Sequence, residues 1–487
     1  MSNTKDINRD VIATSLGWKI LERFFSQGCS IIVQIILARL LLPSDFGSLA
    51  IILAIVNYLS VFVQSGLSAA IIQKKELTPL DINTIFSISF GIAGILFFLL
   101  FFLSPYIADY YNDKSLINPI RVSASLLFLC SLFSIYQGVL SRKMEFKTIA
   151  IRSSIALPAA GVISIIMAYY GFGLWSLIVY NILHILFACI ALSLGNNVFL
   201  KFQLSKKSAL SMYSFSIKII GANMISGFSD LFRTMSIGKR YSTSNLAYYD
   251  RAYYYSYTIQ QVINSSIQSV LLPVFSRKQE DISTLKNMAR QSIKVSMFIM
   301  IPFLMAMIIL AKPLVLLLLT EKWAPCVPYL MLFLAFRLAG SMVGIDKQVY
   351  LALGKSSIIF YFEVVLLIAN ITMLLITIPI SVKAIAIGAF VVEYLSSLIL
   401  VFISKNLYSY QIRERIADLY RPVMNSLIMM LIMWAVTLSN ITGLFLLIIQ
   451  ILTGFVIYIL LSYITKDSSL GYIISIAKSN YNRIKQK

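Results

Sequence analysis

The sequence predicts an all-α polytopic membrane protein with about fourteen transmembrane helices. Of its 487 residues, 59% are hydrophobic and only 13% are charged, which is too little charge to coat a soluble protein of this size. The apolar residues occur in runs of roughly 20, the length that crosses a bilayer as a helix, and short polar stretches between the runs hold most of the charge. This composition excludes a disordered chain and a secreted disulfide scaffold.

Helices are the only spanning element that the sequence supports. Backbone amides in hydrocarbon must be satisfied within their own segment, and the sequence shows no strand-like alternation of polar and apolar residues. Hydropathy and turn residues predict helices at 14–41, 46–72, 82–104, 119–141, 149–170, 174–198, 214–239, 247–274, 290–318, 328–352, 357–379, 384–404, 421–438 and 443–464.

The basic residues orient these helices in the membrane. A formal net charge of +21 would suggest a nucleic-acid partner in a soluble protein, but in a membrane protein basic loops stay in the cytoplasm. With the N-terminus inside, the predicted cytoplasmic segments hold 25 basic residues and the outer loops hold five. Both termini are therefore predicted to be cytoplasmic, with no nucleic-acid partner and, since residues 1–14 are polar, no signal peptide.

A weak self-similarity predicts an internal duplication. At an offset of 200 residues, Ser44-Asp45-Phe46-Gly47 aligns with Ser244-Asn245-Leu246-Ala247, and at 208 residues Asp113-Lys114 aligns with Glu321-Lys322. Two six-helix lobes with the same orientation would place a substrate path between them. The predicted segments are a cytoplasmic N-terminus (1–13), an N-lobe (14–200), a cytoplasmic linker (201–213), a C-lobe (214–404), a cytoplasmic loop (405–420), a terminal helix pair (421–464) and a basic cytoplasmic tail (465–487).

Charged residues inside the predicted spans indicate a hydrated cavity. A charge at mid-bilayer costs roughly 2.5 to 3.5 kcal/mol, so these side chains are expected to face the interior of the bundle. Polar stripes occur on the first, seventh and eighth predicted helices, and further charged residues occur on the tenth to twelfth. The charged members and the polar groups beside them are Lys19, Glu22, Arg23, Lys218, Asp230, Arg233, Asp250, Arg251, Tyr254, Tyr257, Gln261, Arg337, Glu363 and Glu393.

The sign of this cavity predicts its cargo. The spans hold eleven basic residues and six acids, an excess that favours an anionic substrate, and Arg and Lys suit phosphate oxygens. Lys19, Arg23, Lys218, Arg233, Arg251, Arg337, Tyr254, Tyr257 and Gln261 are the predicted substrate-binding residues. Glu22, Asp230, Asp250, Glu363 and Glu393 are candidates for carrying a coupling proton or sodium ion. No metal site, cofactor or catalytic residue is predicted.

Two of these assignments have alternatives. Glu22 lies one helical turn from Lys19 and next to Arg23, so its role is either ion coupling or neutralisation of these charges. The tyrosines at the predicted outer end of the eighth helix, Tyr254 and Tyr257 among them, either stack on sugar rings or form an aromatic belt at the membrane surface.

Several short motifs resemble a known family of exporters. Leu37-Ala38-Arg39 with Asp45-Phe46-Gly47, Ile71-Ile72-Gln73-Lys74-Lys75-Glu76, Arg142-Lys143-Met144-Glu145-Phe146, Leu272-Pro273-Val274-Phe275-Ser276 and Glu321-Lys322-Trp323 are similar, in order and spacing, to Wzx-type polysaccharide flippases. They resemble the colanic-acid-type branch of the multidrug/oligosaccharidyl-lipid/polysaccharide exporter superfamily. The resemblance covers about residues 14 to 460.

This resemblance implies a fold and an activity. The implied fold is two six-helix lobes in a V, and the implied activity is flipping of an undecaprenyl-diphosphate-linked oligosaccharide repeat unit across the bacterial cytoplasmic (inner) membrane by alternating access. The repeat unit would belong to O-antigen, capsule or exopolysaccharide. Besides this lipid-linked oligosaccharide and the lipid bilayer, a polysaccharide polymerase and chain-length proteins are candidate partners.

Two other functions compete with flipping. A multidrug antiporter of the same superfamily that exports cationic drugs would need an acidic or aromatic pocket. A membrane glycan polymerase or ligase would need a catalytic base in an ordered loop outside the membrane, and the longest predicted outer loop, 105–118, offers Asp109 and Asp113 without a partner cluster. We therefore expect the chain not to be an enzyme.

Overall fold

The structure, a computed structural model, is built from α-helices. It describes residues 9–64, 70–72, 74, 76–194, 200–439, 443–472 and 475, and within these ranges the side chains of 9–24, 211, 213–215, 218–219, 222, 226, 262–263, 265–270 and 272–273 lie outside the described set. In the described part of the chain no strand occurs, and eleven helices are long and apolar enough to cross a membrane, with a shorter apolar stretch at Phe25–Leu40. The predicted class is thus confirmed, whereas the count of fourteen is not.

The chain divides into two compact units, Met1–Asp250 and Arg251–Lys487. In the first unit, α1 packs against α6, α6 against α7, and α8 against both α2 and α3. Its helices are α1 (Arg9–Leu40), α2 (Pro43–Gln64), α3 (Pro79–Tyr111), α4 (Ile117–Ser123), α5 (Leu126–Arg142), α6 (Phe146–Tyr169), α7 (Leu174–Ser193) and α8 (Lys206–Arg240).

The second unit begins within the next long helix, α9 (Thr243–Ser276). Here α10 packs against α11 and α14, and α11 packs against α13. The remaining helices are α10 (Ile282–Leu319), α11 (Val327–Ala352), α12 (Ser356–Thr377), α13 (Val382–Tyr408), α14 (Ile412–Val436) and α15 (Gly443–Ile464). The boundary between units follows α8, whereas the predicted lobe boundary precedes it, so the division into lobes stays a prediction.

Local sequence signals explain several helix starts. The Thr78 hydroxyl oxygen caps α3 by accepting from the Asp81 amide, and the Asp81 carboxylate accepts from the Thr78 amide. This capping box satisfies two N–H groups at the helix start. Asp281 caps α10 by accepting from the amide (3.0 Å) and the hydroxyl (2.6 Å) of Thr284. These bonds favour the charged carboxylate and lower the pKa of Asp281 to about 2.

The second unit leaves much apolar surface for lipid. In α12 only 11% of the most apolar window is buried within the protein, and in α15 only 22%. Apolar helix faces of this kind need a hydrocarbon environment. The terminal helices α14 and α15 nonetheless pack against α10. Met433 of α14 lies in one buried apolar cluster with Phe298 of α10 and Tyr458 of α15, and the Tyr458 hydroxyl donates to the Phe298 carbonyl at 2.7 Å.

Candidate functional site

A polar cavity of about 320 Å³ lies inside the second unit. Four helices enclose it: α9, α11, α12 and α13, of which the last three are candidate membrane spans. Polar groups outnumber apolar ones on its wall, although the surrounding segments are strongly apolar. The lining residues are Gln260, Gln261, Asn264, Gly340, Val343, Gly344, Lys347, Gln348, Phe362, Glu363, Leu366, Glu393, Ser396 and Ser397.

One ion pair joins α11 to α12 at this cavity. Lys347 Nζ lies 2.7 Å from Glu363 Oε1, and the ammonium also lies 5.1 Å from the ring centroid of Phe362. The side chains are 28% and 41% exposed and line the cavity, so the pair is accessible to a polar ligand there. Lys347 is therefore a site residue that the polar stripes did not identify.

Two close approaches shape the opposite wall. A methyl group added at Gly340 would lie 2.9 Å from Glu393 Oε1 and 3.4 Å from Gln260 Nε2, so only glycine leaves this space free. The Gln260 amide donates to the Arg337 carbonyl at 3.1 Å and to Ser341 Oγ at 3.0 Å, which fixes its orientation. These contacts bring α9, α11 and α13 together around Glu393.

Arg337 lies beside the cavity in an aromatic cage. It is 6% exposed, and its guanidinium carbon lies 4.6 Å, 5.2 Å and 4.9 Å from the ring centroids of Tyr253, Tyr257 and Phe336. Ring faces stabilise the charge without using its N–H groups. Within the described residues, Nε and Nη2 of Arg337 have no hydrogen-bond acceptor. A buried guanidinium with unused donors is suited to an anionic or hydroxyl-rich ligand.

The structure brings five predicted site residues to this region: Arg337, Tyr257, Gln261, Glu363 and Glu393. The Gln261 amide donates to the Tyr257 hydroxyl, which links the cage to the cavity wall. Arg251, also buried, contacts the Tyr254 ring at 5.1 Å, and neither residue lines the cavity.

The predicted residues of the first unit whose side chains the structure describes lie on α8 and near the start of α9. Arg233 pairs with Asp230 at 2.8 Å and lies 5.6 Å from the Tyr249 ring centroid, while Asp250 is half-buried. The i,i+3 spacing makes this pair a local contact on one helix face. The side chains of Lys19, Glu22, Arg23 and Lys218 lie outside the described residues, so the predicted convergence of these cations stays a prediction.

Sequence reasoning identified Glu363 but missed Lys347, its pairing partner at the cavity. The signal was present, because a charge inside an apolar span is expected to find an opposite charge on a neighbouring span, as Lys347 does with Glu363. Counting Arg337 beside the wall, the cavity carries both signs, with two cations and the two acids Glu363 and Glu393. Among the described residues no cluster of three or more histidine, cysteine, aspartate or glutamate side chains could hold a metal ion.

Comparisons with known proteins give concordant results. A family model described as "Polysaccharide biosynthesis protein" matches residues 36–328. The succinoglycan biosynthesis transport protein ExoT of Rhizobium meliloti is 25% identical over 328 residues, which cover 67% of this chain and 66% of that protein. The lipopolysaccharide biosynthesis protein WzxC of Escherichia coli is 22% identical over 364 residues, 73% of each chain.

A solved structure supports the fold. The lipid II flippase MurJ in an inward closed conformation superposes with a TM-score of 0.78 at 16% identity, over 91% of this chain and 98% of that chain. At this identity the likeness concerns the fold alone. Together with the family match, it confirms the helical fold class and the family resemblance that the motifs indicated.

Proposed function

This chain belongs to the polysaccharide biosynthesis protein family, and from that membership we propose that it is a flippase rather than an enzyme. Its cargo is an undecaprenyl-diphosphate-linked oligosaccharide repeat unit, which it moves from the inner to the outer leaflet of the bacterial cytoplasmic membrane by alternating access. Both termini face the cytoplasm. A polysaccharide polymerase and chain-length proteins then use the flipped unit.

The observation that carries this proposal is the polar cavity within the apolar second unit. A lipid-linked sugar must take many hydroxyl groups across a hydrocarbon layer that offers no hydrogen bonds, so the protein has to supply them. The amides of Gln260, Gln261 and Asn264 and the hydroxyls of Ser396 and Ser397 supply such partners. The aromatic faces of Tyr253 and Tyr257 beside Arg337 add surfaces on which sugar rings can stack.

The diphosphate is assigned to basic side chains. Arg337 has unused donors within the described residues. Arg233 pairs with Asp230 on the same helix, and because the Asp230 side chain is 58% exposed, this pair is weak. Guanidinium groups bind phosphate oxygens bidentately. Lys19, Arg23 and Lys218 are proposed to contribute from their polar stripes.

Ion coupling is assigned to the acids of the cavity. Glu363 pairs with Lys347, whereas no cation lies within 4 Å of the Glu393 carboxylate among the described residues. A carboxylate in a polar cavity, with Lys347 and Arg337 as the nearby cations, can exchange a proton or a sodium ion without breaking an ion pair. We propose Glu393 as the first coupling candidate, ahead of Glu363, Glu22, Asp230 and Asp250.

A leaflet assay in a deletion strain tests the function. Accumulation of the lipid-linked unit on the inner leaflet is the expected result, and complementation by the intact chain restores surface polysaccharide. Accumulation of unpolymerised unit on the outer leaflet would instead assign a polymerase or ligase. Hypersensitivity to cationic dyes with intact surface polysaccharide would assign a multidrug antiporter.

Two alanine variants test the anion role. Lys218→Ala and Arg233→Ala each remove one charge-assisted phosphate contact, and we expect export to fall on the order of tenfold at normal protein abundance. Arg240→Ala removes an exposed arginine at the end of the same helix and serves as the control. Full export in both test variants would contradict the role given to these cations.

A further inference from the structure

A second polar cavity, of about 480 Å³, opens at the N-terminal end of α14. It lies between α10, the first turns of α14 and the residues that follow α15. Five of its lining side chains are charged, and they are Lys294, Arg413, Asp418, Arg421 and Asp467. It is separate from the cavity around Glu393, with which it shares no lining residue.

The acids of this cavity are already engaged by the protein. Asp418 accepts from Arg290 Nη2 at 2.8 Å, from the Tyr410 hydroxyl at 2.9 Å, and pairs with Lys294 at 2.9 Å. Asp467 is 7% exposed and its Oδ1 accepts from the Ser469 amide at 2.8 Å. Neither carboxylate is therefore available to attract an external cation.

The arginines, in contrast, are open to solvent. Arg413 and Arg421 are both exposed. Arg421 Nη1 donates to the Lys466 carbonyl at 2.9 Å, which uses one of its five N–H donors, and in the described part of the chain Arg413 forms no hydrogen bond or ion pair. The cavity thus presents unneutralised guanidinium groups, the side chains that best match phosphate geometry.

Apolar side chains beside the arginines place the cavity at a membrane surface. Ile416 and Tyr420 line it and are 61% and 60% exposed. They lie on α14, which is a candidate membrane span. An aromatic and an aliphatic side chain next to exposed arginines is the pattern of a helix end at the headgroup level.

We propose that this cavity binds the headgroup phosphate of an anionic phospholipid. Arg413 and Arg421 hold the phosphate, Lys294 adds long-range attraction, and Ile416 and Tyr420 contact the start of the acyl chains. The sequence predicts this end of α14 to be cytoplasmic, the side on which anionic headgroups attract basic clusters. The lipid fixes the end of α14 relative to α10 and is a structural ligand, distinct from the transported one.

The test is lipid binding to the purified full chain in detergent. Phosphatidylglycerol and phosphatidylcholine with identical acyl chains are titrated separately, and bound lipids are counted by native mass spectrometry. We expect phosphatidylglycerol to bind preferentially. Each arginine near a charged surface contributes on the order of a fivefold factor, so Arg413→Gln weakens binding about fivefold and Arg413→Gln/Arg421→Gln about 25-fold.

A matched control separates this site from general charge effects. Arg277→Gln/Lys405→Gln removes two exposed basic residues that are also predicted to be cytoplasmic but do not line the cavity, and it should bind phosphatidylglycerol normally. An unchanged melting temperature of Arg413→Gln verifies folding, since this side chain has no partner to lose among the described residues. Equal binding by the control and the double variant would overturn the proposal. Binding of inorganic phosphate without a preference for phosphatidylglycerol would also overturn it, in favour of free phosphate.

Discussion

Replacing Asp346 by asparagine tests the buried ion pair that joins α11 to α14. The Asp346 carboxylate is fully buried and accepts from Arg415 Nη1 at 2.8 Å and Nη2 at 3.0 Å, and the Tyr408 hydroxyl donates to the same carboxylate. Arg415 is itself 3% exposed and lies 4.5 Å from the Tyr410 ring centroid. Asparagine keeps the shape of the side chain, but it removes the charge and replaces one acceptor oxygen by an NH2 group that cannot accept from Arg415 or Tyr408.

The expected cost follows from what remains after the substitution. Removing one partner of a buried pair typically costs about 3 to 5 kcal/mol, because the other charge stays buried without compensation. The asparagine side chain would still offer one carbonyl acceptor to Arg415, which places the expected loss near the lower end, at about 3 kcal/mol. Asp346→Leu/Arg415→Met removes both charges and should cost at least about 2 kcal/mol less than the sum of its single variants.

The assay is the free energy of unfolding in mixed micelles, measured by denaturant titration for Asp346→Asn and for the four members of the double-variant cycle. Asp230→Asn is the matched control, because its exposed pair with Arg233 should contribute less than about 1 kcal/mol. A loss below about 1 kcal/mol for Asp346→Asn, or additive effects of the single variants in the cycle, would refute the role assigned to this pair.

Three further substitutions have distinct expected outcomes. A methyl group in Gly47→Ala would overlap the backbone carbonyl of Thr243, so the starts of α2 and α9 must separate. We expect the free energy of unfolding to fall by about 3 kcal/mol, measured by denaturant titration. Gly340→Ala would press on Glu393 at the cavity wall, and because that carboxylate can move we expect normal abundance with reduced export in the leaflet assay. Arg142→Ala removes a guanidinium that donates to three backbone carbonyls of the segment before α3, and we expect about 2 kcal/mol lower stability.

Each of these three has a control in the same protein. Gly91→Ala adds a methyl group where nothing lies within 4 Å, so it should leave stability and export unchanged. Lys143→Ala removes the charge next to Arg142 and should be silent as well. If the controls were as impaired as the test variants, local packing would not explain the effects.

The apolar spans were predictable from sequence. The twelfth predicted helix, 384–404, lies within Val382–Tyr408, and 357–379 nearly coincides with Ser356–Thr377. The bounds of two predicted helices differ from those in the structure. The single helix predicted at 119–141 is divided at 124–125 into α4 and α5, and α14 begins at Ile412 instead of 421 because its polar first turns are stabilised by ion pairs, which hydropathy does not detect.

The candidate site was only partly predictable. Helical periodicity selected Arg337 and Gln261 as residues of polar helix faces, and a charge within an apolar span selected Glu393. The structure places all three in or beside one cavity. Periodicity did not select Gln260, whose side-chain amide donates to groups on another helix. Periodicity identifies which residues share one face of a single helix. A contact between two helices also depends on how each helix is rotated about its own axis.

The sequence by itself determined that this protein spans a membrane as a helical bundle and that polar side chains lie along particular helix faces. These properties are local, because transfer to hydrocarbon and helical periodicity are set by residues close together in the chain. The tertiary structure alone decided that Lys347 pairs with Glu363, that Asp346 holds Arg415, and that Arg337 lies among aromatic rings. Each of these depends on how separate helices pack, and the same stripes are compatible with many packings.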